Sequence, residues 1–283
     1  MRSAEDTAEY IYKGVNIAEA GVVKTNGFEM EYCKFGKGDR VCVIIPGLCI
    51  QSIMGAKDIV EEQNSIMNDD FTSYLFDRRL CIPEDYSIFD MADDTAAAMK
   101  ELGLRDGYFF GASQGGMIAM VMAIRYPELV KKLVLGSASA HIQPEQRAVI
   151  ENWINLAKAK DRQGLYHAYG REIYPQNVYE QLKDYFTNVA ESVTDEELER
   201  FIILAKSILD FNITDELKKI NCPVLALGGA DDAVLDGDAT MEIAENLDYR
   251  SDFSLYMYTG YGHACFDTAP NYRQRLLDFY LKE

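Results

Sequence analysis

Short apolar runs separated by longer amphipathic stretches recur along the chain. Phe28-Glu29-Met30-Glu31-Tyr32 alternates apolar and acidic residues, the period-two pattern of an antiparallel strand with one wet face. Later runs are continuous, such as Tyr108-Phe109-Phe110, Val224-Leu225-Ala226-Leu227 and Phe253 to Tyr258. Continuous runs suit a parallel sheet covered on both faces. Helices are predicted over 55–67, 88–102, 114–125, 239–247 and 271–281. The alternation predicts an α/β protein. It breaks between His141 and Thr214, where no strand-like run occurs. That stretch reads as helices over 145–160 and 178–193. Thr194-Asp195-Glu196-Glu197 forms a capping box that opens a third helix over 198–209. The division is therefore a core of residues 1–140 and 214–283, with a helical insertion at 141–213.

One strand-to-helix junction carries chemistry. Gly111-Ala112-Ser113-Gln114-Gly115-Gly116 follows an apolar run and precedes a small-residue helix. A serine nucleophile on a sharp turn needs small neighbours, because the backbone is strained and packed closely there. The following helix aims its N-terminal N–H groups at the spot where negative charge develops. Serine needs a base, and the chain has three histidines, His141, His167 and His263. His263 lies in Gly260-Tyr261-Gly262-His263, just past a predicted strand end, where a side chain reaches a shared site. An orienting carboxylate ends the run Val224 to Gly229, as Asp231 or Asp232. The predicted order is serine, aspartate, histidine.

This order and these contexts resemble the α/β-hydrolase superfamily through nearly the whole chain. Val41 to Gly47 is similar to the strand and glycine that open the family's oxyanion loop, and Tyr74 to Arg79 to its next strand and the Asp-Arg after it. Tyr86 to Asp94, Tyr126 to Leu135 and Asn221 to Leu225 resemble the following elements in order. The resemblance implies a mostly parallel eight-stranded sheet, helices on both faces and an inserted helical lid. It implies Ser113 as nucleophile, His263 as base and, from motif register, Asp232 as the acid. The oxyanion hole is assigned to the backbone N–H groups of Leu48 and Gln114. Many members have His-Gly where this chain has Pro46-Gly47, a change that leaves the backbone donor at Leu48. A serine at 113 excludes the dehalogenase and epoxide hydrolase branches, which need aspartate there.

Composition narrows the partners. A net charge of −18 argues against nucleic acid and anionic membranes, and it disfavours coenzyme A esters. Residues 1–16 are polar and resemble no signal peptide, which predicts a cytoplasmic protein. The six cysteines lack paired metal spacing. No metal or organic cofactor is expected. The predicted partner is a small-molecule substrate, without nucleic acid or membrane, and homo-oligomerisation is left open. Cys49, Trp153, Tyr166 and His167 are expected against the substrate, and Arg79 is weighed as a reach toward an anionic group. The expected reaction is hydrolysis of a small neutral carboxylic ester through an acyl-enzyme. Amide, thioester or carbon–carbon hydrolysis, acyl transfer, and a non-catalytic ligand-binding protein are the alternatives.

Overall fold

One sheet of eight strands organises the protein, in the order β1-β2-β4-β3-β5-β6-β7-β8. The computed structural model describes residues 18–282, so the polar stretch 1–16 lies outside the described residues. The strands are β1 (Glu19–Lys24), β2 (Glu29–Gly36), β3 (Arg40–Ile45), β4 (Phe71–Arg79), β5 (Gly107–Ala112), β6 (Val130–Gly136), β7 (Val224–Gly229) and β8 (Phe253–Tyr258). β1–β2 and β2–β4 pair antiparallel; all other neighbours pair parallel. After β3 the chain adds β4 on one side, then returns to place β5 on the other. The strand order reverses between β3 and β5, and ligands of open α/β sheets bind at the carboxyl ends of such strands.

Helices cover both faces: α1 (Lys57–Asn64), α2 (Ile88–Glu101), α3 (Gln114–Arg125), α8 (Gly237–Leu247), α9 (Cys265–Thr268) and α10 (Tyr272–Leu281). Alternate strand residues feed two cores. Val43, Ile45, Phe109 and Leu133 pack with Met91 of α2 and Met117 of α3. Cys42, Ile44, Phe110 and Val134 pack with Leu276 and Tyr280 of α10. This two-sided burial is why those strands read as continuous apolar runs.

Four helices stand between β6 and β7: α4 (Pro144–Lys158), α5 (Arg162–Ile173), α6 (Gln176–Ala190) and α7 (Asp195–Leu209). Their buried Trp153, Phe186 and Phe201 join the first of the two cores. The Thr194–Glu197 capping box forms as the pattern predicts. Helix α5 is absent from the sequence-based prediction. Its Gly164 and Gly170 depress helix propensity, but packing decides: a Cβ at Gly170 would stand 2.4 Å from the Phe186 ring. The edge strand β1 also lies outside the predicted elements, because its mostly exposed residues alternate poorly. The helix predicted over 55–67 is shorter, with single 3₁₀ turns at Ile53–Ala56 and Ser65–Met67 flanking α1.

Candidate active site

Ser113 occupies the turn between β5 and α3, with φ 51° and ψ −120°. A non-glycine residue held there costs on the order of 1–3 kcal/mol. The surroundings enforce the turn. Ser113 N–H donates to Gly136 O at 2.7 Å, and Gly116 N–H donates to Ser113 O at 2.8 Å. A Cβ at Gly111 would stand 2.3 Å from Gly115 O, and one at Gly115 would stand 2.1 Å from Ile45 O. Both flanking glycines are thus required by the close approach of α3 to β5 and β3.

His263 follows β8 and is buried. Its Nδ1 lies 2.7 Å from Asp232 Oδ2. The other oxygen, Oδ1, accepts from Val234 N–H at 2.8 Å and Leu235 N–H at 3.0 Å. Burial pushes the Asp232 carboxyl up, but the imidazole and the two N–H donors outweigh it and hold the group below the usual carboxylate value. Asp231 serves the same loop differently. Its carboxylate accepts from Gly260 N–H at 2.7 Å and Gly262 N–H at 3.3 Å. One aspartate therefore meets the imidazole and its neighbour meets the backbone that carries the imidazole. Ser137 Oγ fixes the far side of that loop by donating to His263 O at 2.7 Å.

Ser113 and His263 line one cavity of about 280 Å³. They share it without a direct hydrogen bond among the described residues; such bonds are often long in unliganded sites and tighten around substrate. Leu48 lines the same cavity. The loop bearing it is close to the serine, since a Cβ on Gly47 would stand 3.2 Å from Ser113 Cβ. Gln114 begins α3 and is fully buried, so its N–H is a first-turn donor without an intrahelical carbonyl. Arg78 Nη2 donates to Pro46 O at 2.8 Å and to Gln114 Oε1 at 3.0 Å. Gln114 Nε2 donates to Leu204 O of α7 at 2.7 Å. The Tyr169 hydroxyl of α5 donates to Leu48 O. The Pro46-Gly47 loop is thus held from the core by Arg78 and from the inserted helices by Tyr169.

Of the residues expected against substrate, Cys49 and Tyr166 line the cavity. Burial pushes the Cys49 thiol up to about 11, so it stays neutral at ordinary pH. Trp153 and His167 are corrections. Trp153 is buried in the core, with its ring centroid 4.8 Å from that of Tyr169. His167 has both ring nitrogens engaged, with Tyr179 Oη at 3.0 Å and Thr187 Oγ1 at 3.1 Å. Neither lines the cavity. Arg79 is turned away too, its Nε donating to Asp94 Oδ2 at 2.6 Å. The cavity instead includes Tyr169, Tyr174 and Phe186 from the inserted helices, and Gln63, Asp267 and Arg273 from α1, α9 and α10. The aromatics had a sequence signal only as a group. The charged residues had none, because a charge on an amphipathic helix reads as solvent-facing.

Among the described residues, no group of three or more His, Cys, Asp or Glu side chains is arranged to hold a metal ion, and no helix is long and apolar enough to cross a membrane.

Comparison with known proteins agrees with this fold. A family model described as the alpha/beta hydrolase fold matches residues 68–270. Human serine hydrolase BPHL is 26% identical over 234 residues, covering 78% of this chain and 73% of that protein. MGS-M2, an alpha/beta hydrolase from a Medee basin deep-sea metagenome library, superposes with a TM-score of 0.82 at 21% identity, covering 93% of this chain and 98% of its own. An esterase from Exiguobacterium antarcticum superposes with a TM-score of 0.77 at 20% identity, covering 92% and 99%.

Proposed function

Because the chain belongs to the alpha/beta hydrolase fold family, we propose that it is a serine hydrolase that cleaves a small carboxylic ester through an acyl-enzyme. The observation that carries this reading is the 2.7 Å contact of Asp232 with His263, whose imidazole lines the cavity that also holds the strained Ser113. His263 takes the Ser113 proton as Oγ bonds to the ester carbonyl carbon. The carbonyl π pair moves to oxygen, and the Leu48 and Gln114 N–H groups hold that oxyanion. When it collapses, the ester C–O bond breaks and His263 passes its proton to the departing alkoxide. Water then repeats the sequence on the acyl-enzyme, with His263 as base, and Ser113 is restored. Asp232 keeps the imidazole in the useful tautomer and stabilises the imidazolium.

Helices α4–α7 act in this reading as a lid over the serine, with Tyr166, Tyr169 and Phe186 facing the bound acyl group. The reaction class is tested with 4-nitrophenyl esters of rising acyl length, assayed with the wild type and Ser113→Ala. Saturable turnover of short esters, lost in the variant by about 10⁵-fold or more, supports it. Turnover confined to amides or thioesters would move the substrate class while leaving the triad. Binding without any turnover would place the chain among ligand-binding proteins of this fold.

A further inference from the structure

Arg273 enters the cavity wall from α10. Its guanidinium carbon lies 4.9 Å from the Phe110 ring centroid and 5.4 Å from that of Tyr272. Nε and Nη1 are buried with no hydrogen-bond partner, and Nη2 has a single long contact, Gln63 Oε1 at 3.4 Å. Arg273 makes no ion pair within 4.0 Å among the described residues. Asp267 lies on the same wall but receives its hydrogen bond from the Tyr174 hydroxyl, at 3.2 Å. A guanidinium buried with most of its donors unmet opposes folding. Unmet buried polar groups of this kind are kept where function uses them.

The position suggests the use. Phe110 precedes Ser113 by three residues, roughly 10 Å of strand, and the guanidinium stacked on its ring lines the same cavity as the nucleophile. We propose that Arg273 is a specificity-determining residue. It holds the free carboxylate of a short dicarboxylic half-ester whose ester carbonyl lies at Ser113. The guanidinium charge is delocalised, so an anion on its cavity side offsets the burial of the whole group. The net charge of −18 belongs to the whole chain; locally this end of the cavity presents a cation with unmet donors, on which the Asp267 carboxyl acts only from beyond ion-pair distance. The assignment of the carbonyl to Ser113 rests on the ester-hydrolase reading. The anion site itself does not.

The test uses glutarate as a binding probe and pentane-1,5-diol, which has no ester to cleave, as its neutral counterpart, read by thermal melting. Glutarate should raise the wild-type Tm in a saturable way, and pentane-1,5-diol should not. Arg273→Met, which keeps much of the shape and removes the donors, should melt at or above the unliganded wild type and lose the glutarate shift. Arg273→Lys should keep part of it. In parallel, the ratio of kcat/KM for 4-nitrophenyl hemiglutarate to that for 4-nitrophenyl valerate should fall by about tenfold or more in Arg273→Met. A wild type indifferent to glutarate, equal stabilisation of wild type and Arg273→Met, or an Arg273→Met protein that melts well below wild type each overturns the proposal. If glutarate binds through Arg273 and neither ester is cleaved, the ester-hydrolase reading fails and the anion site stands.

Discussion

Arg78 joins the Pro46-Gly47 loop to the start of α3: one nitrogen, Nη2, donates to the Gln114 side chain at 3.0 Å and to the Pro46 carbonyl at 2.8 Å. Gln114 carries one of the two backbone donors proposed for the oxyanion, and Pro46 lies two residues before the other, Leu48. Arg78 is buried, and its neighbour Asp77 pairs with Arg200 of α7 at 2.6 Å. This cluster fixes the loop that carries Pro46 and Gly47.

Arg78→Met is therefore expected to impair turnover more than binding. A shift of about 1 Å in a stabilising donor can cost up to about 100-fold in rate. Steady-state kinetics on a short ester should show kcat falling by about 10- to 100-fold with KM changed much less. An unchanged kcat would mean the loop holds its place without Arg78.

The adjacent aspartates should separate cleanly. Asp232→Asn leaves a neutral partner for His263 Nδ1 and favours the wrong tautomer; its kcat should drop by about 10⁴-fold with little loss of Tm. Asp231→Asn weakens two backbone contacts, at Gly260 and Gly262, and should cost about 1–3 kcal/mol of stability with a much smaller effect on kcat. Paired melting curves and kinetics for the two variants check both outcomes. The opposite ranking in kcat would assign the imidazole's partner to Asp231.

The Asp232 carboxyl ties stability to acid in a definite range. The Asp232 carboxyl lies below its ordinary value when folded: burial raises it, and His263 with the Val234 and Leu235 N–H groups lowers it further. A group depressed on folding adds stability above its unfolded value, about 3.9, and that stability is lost as pH falls through the folded value. The Asp232 contribution thus persists through mild acid and disappears below about pH 4. A pH series of melting temperatures should therefore hold level through mild acid and fall below about pH 4. A wild-type Tm that already falls in mild acid would assign the acid response to other groups.

Much of this was legible in the residues. The continuous runs at Tyr108–Phe110 and Val224–Leu227 revealed buried parallel strands because both faces of those strands are covered. Ser113 was legible because its turn demands glycines nearby, and glycines are visible in any sequence. Three of the four inserted helices were legible as helices but not by which side faces inward. Trp153 and His167 were expected against substrate, yet Trp153 packs on Tyr169 and His167 is spent on Tyr179 and Thr187. Periodicity marks an apolar face; it does not say whether that face meets protein or ligand. Helix α5, which carries Tyr166 and Tyr169, was hidden by Gly164 and Gly170, whose fitness depends on contacts such as Phe186 far along the chain. Arg273 was invisible for a related reason. Only the tertiary fold turns its helix position toward the cavity, and Phe110, which it stacks on, lies more than 160 residues away.

The central claim is that Ser113, activated by His263, is the nucleophile, and covalent capture tests it most directly. A fluorophosphonate probe followed by mass spectrometry of the digested protein should give one adduct, on the peptide containing Ser113. Ser113→Ala should lose the adduct while keeping its melting temperature, and His263→Ala should be labelled far more slowly. Undiminished labelling of Ser113→Ala, or an adduct on another residue of the wild type, would contradict the account.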